Sequence, residues 1–278
     1  MKTATPPVRV FVSLLLIAGA VLFMAPMYQM LVMALKTPDE IQATSPFAWP
    51  AHPTWQNFVE VTTDPEVSFL RFFENTLVIT VLSTAGTVIS ASLAAFAFSR
   101  LKFRARDRIF VVLLSTMMLP GMITIIPSYI LFARLGWVNT NLPLWVPAWL
   151  GGGAFNIFLL RQFFLGIPRE LDEAARIDGA TNACIFWRVV APLSKPALAT
   201  VAIFSFVGSW TDFMGPLLYL NDREKQTLEL GLRTFQTIQK TQWNLLMAAS
   251  LVVMLPIVII FLAGQRYFVR GISLTGGK

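Results

Sequence analysis

Two residue types on which catalytic and metal sites often depend are almost absent from this 278-residue sequence. It contains one cysteine, Cys184, and one histidine, His52. One cysteine cannot form a disulfide bond within the chain, and one residue of each type cannot build a Cys/His metal cluster. A Ser-His-Asp hydrolase would have to use His52, which lies in a proline-rich loop without a supporting motif. We therefore predict no catalytic residue, no metal site and no cofactor in this chain.

Charged residues are also scarce, at 13% of the chain, whereas 55% of the chain is hydrophobic. This composition is typical of a membrane protein with several spans. Six apolar runs are long enough to cross a hydrocarbon layer of about 30 Å, which requires roughly 20 residues. They cover 10–35, 75–98, 109–132, 142–160, 198–220 and 245–269. We predict an all-α integral membrane protein with six transmembrane helices in a single domain, 1–278. The first run is too long for a signal peptide and is expected to be retained.

The basic residues are unevenly divided between the two sides that six spans create. Fifteen of the 22 Lys and Arg residues fall on one side, which carries both termini, 100–108 and 161–195. Cytoplasmic loops carry an excess of Lys and Arg, so we predict that this side is cytoplasmic. The same asymmetry accounts for the net charge of +7 without a nucleic-acid partner, because the turn at 100–108 lacks the interleaved aromatics of a nucleic-acid groove.

A polar interval, 167–192, separates the fourth and fifth apolar runs on the predicted cytoplasmic side. Pro168 suits the first turn of a helix, and the acidic residues that follow it favour a helix N-terminus. Gly179 is expected to end this helix. Thr181 can cap a second helix, which Pro192 is expected to stop.

The first of these two helices has small side chains on one face. Leu171, Ala174, Ala175 and Asp178 follow the i, i+3, i+4, i+7 spacing of residues that share a helix face. Since Ala174 and Ala175 have almost no side chain, a partner could approach the backbone closely there. The same signals also fit an ordinary solvated connection between two membrane helices.

The motif Glu173-Ala174-Ala175, followed by Asp178-Gly179-Ala180 and Pro192, resembles the EAA loop of permease subunits in binding-protein-dependent ABC importers. The longer run to Leu198 is similar to the carbohydrate branch of that family. The resemblance implies a type I permease fold, in which 167–192 is the cytoplasmic coupling loop that docks into a cleft on an ATPase subunit. The residues that it assigns to this contact are Glu173, Ala174, Ala175, Asp178, Gly179 and Pro192.

The resemblance extends over about 36–278 and implies a whole assembly. This chain would be a transport subunit without its own ATPase site, in the bacterial inner membrane and in contact with membrane lipid. Its implied partners are a second permease subunit, favoured as a heterodimer, two ATPase subunits that bind ATP-Mg, and an external solute-binding protein. The implied substrate is a sugar or a related solute.

The C-terminal tail resembles the glycine-rich segment that approaches the ATPase dimer in this family, which assigns a contact to Thr275, Gly276 and Gly277. The final Gly277-Lys278 does not form a phosphate-binding loop. The required G-x-x-x-x-G-K-[ST] fails, because Ile272 stands where the first glycine belongs and no residue follows Lys278.

Three residues near the outer ends of spans are candidates for the translocation path: Asn75, Trp210 and Asp212. An acid near a membrane helix is a functional candidate by default, and an indole offers a face on which a sugar ring could stack. Asn75 could instead cap its helix, Asp212 could accept a backbone amide at a helix break, and Trp210 could pack against a neighbour. The family usually has Asn where Thr211 stands, so the resemblance assigns no contact there.

The sequence also predicts the local structure of two loops on the side opposite to the cytoplasm. The density of proline in 36–71 opposes regular helix, and the resemblance places this loop in the outer platform that meets the binding protein. The segment 227–232 is strand-like or turn-like by pattern.

One alternative belongs to another class of transporter, driven by an ion gradient. Such secondary transporters usually show inverted repeats and charged pairs within their spans. Asp212 is the one acid found near a span, and no repeat is evident.

Overall fold

The computed structural model describes residues 6–64, 68–236 and 241–273, with side chains from 10 to 265. Within those ranges the chain is helical and contains no strand, only an isolated bridge between Gln236 and Thr241. The helices are α1 Pro6–Ala34, α2 Pro38–Ala43, α3 Gln56–Thr63, α4 Phe69–Arg100, α5 Arg106–Ser115, α6 Gly121–Arg134, α7 Leu142–Gly151, α8 Ala154–Leu165, α9 Glu170–Ile177, α10 Asn182–Leu193, α11 Lys195–Trp210, α12 Met214–Tyr219, α13 Leu228–Gly231 and α14 Trp243–Ser273.

Four helical segments of the described chain are long and apolar enough to cross a membrane. They are Val10–Ala34, Phe69–Arg100, Leu142–Leu165 and Trp243–Gln265. Two further pairs, α5 with α6 and α10 with α11, qualify if each bent pair counts as one span. The total is then six, which agrees with the predicted all-α membrane fold.

Two of the helix breaks lie at proline or glycine. Pro120 precedes α6, and the pair α5–α6 bends by 100° there. Gly152 and Gly153 separate α7 from α8 with φ values of +60° and +80°. Glycine adopts positive φ readily because it has no Cβ, whereas most other residues do not. Proline and glycine loosen a membrane helix where neighbouring groups can satisfy the freed backbone.

The predicted fifth span, 198–220, is not one continuous helix. Helix α11 begins earlier, at Lys195, and ends at Trp210, after which a break precedes α12. Because Asp212 accepts a hydrogen bond from the Gly215 amide, at 3.1 Å, the side chain replaces a helical bond at this break.

The chain divides into two compact units, Met1–Phe69 with Gly231–Leu255, and Leu70–Leu230 with Pro256–Lys278. The division falls at the start of α4, inside α13 and inside α14. The prediction of one domain over 1–278 therefore stays a prediction.

In the first unit, the outer loop contains more helix than its prolines indicated. Pro38 occupies the first turn of α2, where its missing N–H costs nothing, and the Thr37 hydroxyl accepts the Glu40 amide. Lys36 is buried and donates to the Thr44 hydroxyl and to the Ser45 carbonyl, at 2.9 and 2.8 Å. The expectation that this loop opposes regular helix was wrong for two parts of it, which form α2 and α3.

The segment 227–232 takes the second of its two predicted forms, because it is turn-like and not strand-like. It contains α13 and the start of a 3-10 turn, Leu232–Phe235. The apolar alternation still has a structural reason, because Leu228 and Leu230 are both buried.

The second unit has a core built by α4, α8, α10 and α11. Its fully buried members include Ala91 and Ala95 of α4, Leu160 and Phe164 of α8, Ile185 and Val190 of α10, and Val201 of α11. Aromatic edges contribute as well, since Phe96 and Phe186 meet at 5.3 Å between ring centroids. This core places the polar interval 167–192 directly against the end of α4.

Small residues on α4 allow α7 to approach closely. A side chain at Gly86 would collide with the Trp149 indole, and one at Gly152 would collide with the backbone of Ala91. The Ser90 hydroxyl donates to the Ala148 carbonyl at 2.7 Å. These contacts give Gly86 and Ser90 a packing role, because small residues let two membrane helices approach closely.

Candidate functional site

The predicted first helix of the polar interval is α9, and it ends as its sequence indicates. Gly179 has φ +82°, in the left-handed region that favours glycine. Its amide donates to the Arg176 carbonyl at 3.0 Å, and the Ala180 amide donates to the Ala175 carbonyl at 2.9 Å. This pair of bonds is a Schellman motif, so the direction of the chain after α9 is fixed by backbone geometry.

The second helix, α10, begins at the predicted cap but passes the predicted stop. The Thr181 hydroxyl accepts the Cys184 amide at 3.3 Å. A π turn follows at Phe186–Val190, and Pro192 lies inside the helix, which ends at Leu193. The π turn explains why the helix continues past Pro192. Proline has no amide N–H for an ordinary i to i−4 hydrogen bond, and the wider turn before it accommodates this missing donor.

The outer face of α9 is apolar and open. Ala174 is exposed and Ile177 exposes 87% of its surface, whereas Ala175 is half-buried and packs against the core of the second unit. Leu171 is also exposed, at 43%. Leu171, Ala174 and Ile177 follow an i, i+3, i+6 spacing, so they leave an apolar strip on the surface of an otherwise charged helix that a partner could cover.

An ion pair fixes the inner face of α9. The Asp172 carboxylate lies 3.3 Å from Nε of Arg100, the last residue of α4, and both side chains are at least 94% buried. The second arm of this guanidinium donates to the Phe164 and Ile167 carbonyls, at 2.8 and 2.9 Å. One side chain of α4 thus holds the end of α8, the following turn and the start of α9.

A cavity of about 540 Å³ lies beside this ion pair. Its rim carries Arg169, Glu173 and Arg176 of the α9 region. Glu173 is exposed, so its carboxylate is available to a partner, whereas Asp172 is committed to Arg100. Adjacent acids of the same helix therefore have different surroundings.

The candidate path residues have packing or anchoring partners in this conformation. The Asn75 amide donates to the Glu224 and Gln226 carbonyls, at 2.7 and 3.0 Å. Trp210 exposes 1% of its surface and stacks on Phe206, with ring centroids 5.4 Å apart. Their contact with a solute stays a prediction.

Asn139 and Asp222 organise the outer end of the same unit. The Asn139 amide and the Lys225 ammonium both donate to the Asp222 carboxylate, at 2.7 and 2.9 Å. These two hydrogen bonds lower the pKa of Asp222, and the bond from Lys225 contributes more than the bond from Asn139. Asn139 itself has φ +62°, a left-handed conformation that asparagine tolerates better than most residues.

Two further expectations concern residues outside these contacts. Thr275, Gly276 and Gly277 lie outside the described residues. Among the described residues, no group of three or more His, Cys, Asp or Glu side chains could hold a metal ion.

The family described as "Binding-protein-dependent transport system inner membrane component" matches residues 76–274. This match covers most of the chain, from the first turns of α4 through α9 and α10 to the C-terminal end of α14. The chain belongs to this family.

Two similar permeases cover most of the chain. The probable ABC transporter permease protein YurM of Bacillus subtilis is 35% identical over 269 residues, which are 96% of this chain and 86% of that protein. The trehalose/maltose transport system permease protein MalG of Thermococcus litoralis is 34% identical over 221 residues, 79% of this chain and 80% of that protein. Their similarity supports an ABC importer permease along the full length of the fold.

A solved structure has the same fold. A chain from a bacterial ABC transporter involved in the import of the acidic polysaccharide alginate superposes with a TM-score of 0.84 at 23% identity. The superposition covers 96% of this chain and all of that chain.

This permease is thus an inner membrane component of an ABC importer that works with a solute-binding protein. The permease is not the enzyme of such a transporter, because the ATPase is a separate subunit.

Sequence reasoning missed Arg100 and Asp172. By pattern, Arg100 is one cation of the basic turn at 100–108, and Asp172 is one of the acids that favour a helix N-terminus after Pro168. One signal was available, since Asp172 precedes the Glu173-Ala174-Ala175 motif and occupies the face opposite to Ala174. The partner across the fold could not be read from spacing.

Proposed function

We propose that this permease subunit takes up a sugar or a related solute that an external binding protein delivers. The names of its relatives support this substrate class. They include the trehalose/maltose permease of Thermococcus litoralis and the arabinooligosaccharides permease AraQ of Halalkalibacterium halodurans. A third, UgpE of Yersinia pestis, is named for sn-glycerol-3-phosphate, at 32% identity, so a sugar-related solute also fits the family.

The proposed assembly contains a second permease, as a heterodimer, and two ATPase subunits that bind ATP-Mg. Both termini and the 167–192 loop face the cytoplasm. The tail residues Thr275, Gly276 and Gly277 approach the ATPase dimer. The supporting observation for the orientation is the excess of Lys and Arg on the side of this loop.

The proposed coupling site is α9, with Ala174 on its exposed side and Ala175 half-buried against the core. Ala174 and Ala175 allow close contact with an ATPase cleft, Glu173 supplies a polar anchor, and Gly179 sets the bend after the helix. The single observation that carries this role is the open apolar face of α9, which is held from behind by the buried pair of Arg100 and Asp172.

Transport energy passes through this site mechanically. Closure of the ATPase dimer displaces α9, and the guanidinium of Arg100 transfers the displacement to α4. Since α8, α9 and the end of α4 share this one side chain, they move together rather than slide apart. Solute and ATP must each favour one of the two states for the transport cycle to be coupled.

Reconstitution with co-expressed partners tests the proposal. Proteoliposomes that contain both permeases, the ATPase and the binding protein are expected to accumulate a labelled sugar in their lumen. This accumulation is expected only when ATP is present on the side of the membrane that carries the ATPase subunits. Accumulation that follows an imposed proton or sodium gradient without ATP would contradict it and favour a secondary transporter.

A further inference from the structure

The turn between α4 and α5 forms a basic pocket that the coupling role does not use. Its volume is about 500 Å³, and its charged rim includes Lys102, Arg106, Asp107, Arg108 and Arg169. All of these residues lie in the second unit, at the same end of the fold as α9.

Most of the positive charge in this pocket is uncompensated. Arg106 donates to the neighbouring Asp107 carboxylate, at 3.0 and 3.4 Å, so this pair is neutral as a whole. Within the part of the chain that the structure describes, no carboxylate forms an ion pair with Lys102, Arg108 or Arg169. The pocket therefore presents an excess of three positive charges to an anion.

An exposed apolar surface continues from the pocket along α5. Arg108 and Val112 are four residues apart and share a helix face. Val112 exposes 65% of its surface, and the neighbouring Ile109 exposes 48%. On the pocket side, Phe103 exposes 41%. Charge followed by apolar surface is the pattern that a phospholipid complements, with its phosphate on the cations and its acyl chains along the helix.

We propose that this pocket binds the phosphate headgroup of an anionic phospholipid in the cytoplasmic leaflet. The orientation is the one in the proposed function, and the proposal rests on it. A soluble phosphate would use the cations alone, whereas a phospholipid also matches the apolar face of α5, which as part of a span lies against the bilayer, so the lipid is the source that the surface favours. Lys102 and Arg108 are the principal cations, because Arg169 adjoins the coupling helix.

The test uses the assembled importer in phosphatidylcholine vesicles that contain a small fraction of photoactivatable phosphatidylglycerol. Mass spectrometry is expected to find the crosslinked lipid on 102–112. The double variant Lys102→Gln/Arg108→Gln is expected to lower this labelling by roughly 30-fold at low salt, since each cation near an anionic surface contributes about fivefold. High salt is expected to lower labelling of the unchanged protein as well.

The matched control is Arg71→Gln/Arg134→Gln, which removes two exposed cations from the opposite predicted side and is expected to leave this labelling unchanged. Equal labelling of the Lys102/Arg108 variant and the control would overturn the proposal. Complete competition by inorganic phosphate would identify a free-anion site instead. Labelling that appears only after removal of the ATPase would identify a protein-docking surface. ATP-dependent uptake, measured on the same vesicles, separates failure of this proposal from failure of the proposed function.

Discussion

Replacing Ala174 by glutamate is expected to abolish ATP-driven uptake while the protein remains in the membrane. Ala174 is exposed on α9, where a partner must approach the backbone. A glutamate there adds bulk and also places like charges four residues from Glu170 and from Asp178. Such pairs destabilise a helix by only about 0.2–0.5 kcal/mol, so the helix itself survives. Loss of uptake would then report loss of docking.

The measurement is uptake of labelled solute, normalised to the amount of permease in the membrane. Ala174→Ser keeps a small side chain and is the matched control, with uptake near that of the unchanged protein. Uptake by Ala174→Glu at the unchanged rate would count against the coupling role.

A second pair of variants isolates the bend after α9. Gly179 has φ +82°, which proline cannot adopt because its ring fixes φ near −65°. Gly179→Pro is therefore expected to abolish uptake. Gly179→Asn is expected to retain most of it, since asparagine tolerates this conformation and a side chain there would meet no atom within 4 Å.

Replacing Asp172 by leucine is expected to destabilise the permease by about 3–5 kcal/mol. The change leaves the buried guanidinium of Arg100 without its counter-charge, and the side chain of Arg100 is 1% exposed. The expected result is a large fall in the unfolding midpoint of the purified permease without its ATPase, measured by unfolding in increasing denaturant or on heating.

The matched control is Asp178→Leu, the same substitution at an exposed position just after α9. It is expected to change the free energy of unfolding by no more than about 0.5 kcal/mol. If both variants lost the same stability, the link between α4 and α9 would not depend on the ion pair.

Local sequence signals were sufficient to predict where the helices of the polar interval 167–192 end and begin. Gly179 and Thr181 act through bonds to residues three to five positions away, so the end of α9 and the start of α10 follow from nearby sequence. The long apolar runs likewise predicted the membrane helices, because the length of a span is set by the thickness of the hydrocarbon layer.

Long-range contacts were not accessible in the same way. Arg100 and Asp172 are 72 positions apart, and no periodicity pairs them. The wide turn that accommodates Pro192 and the hydrogen bond of Asp212 at the end of α11 depend on backbone geometry that the residue types alone leave open. The burial of Trp210 was one of two open alternatives, because an indole at a span end serves packing and ligand contact equally well.

Capture of the ATPase by a crosslinker at position 175 tests the coupling of α9 most directly. A variant with Cys184→Ser and Ala175→Cys, assembled in vesicles with its partners, would carry one thiol-directed crosslinker on α9. We expect a covalent product with the ATPase subunit that forms from the cytoplasmic side and changes in yield when ATP is added. A crosslinker at this position that never captures the ATPase in intact assemblies would contradict both the docking role of α9 and the predicted cytoplasmic orientation of its loop.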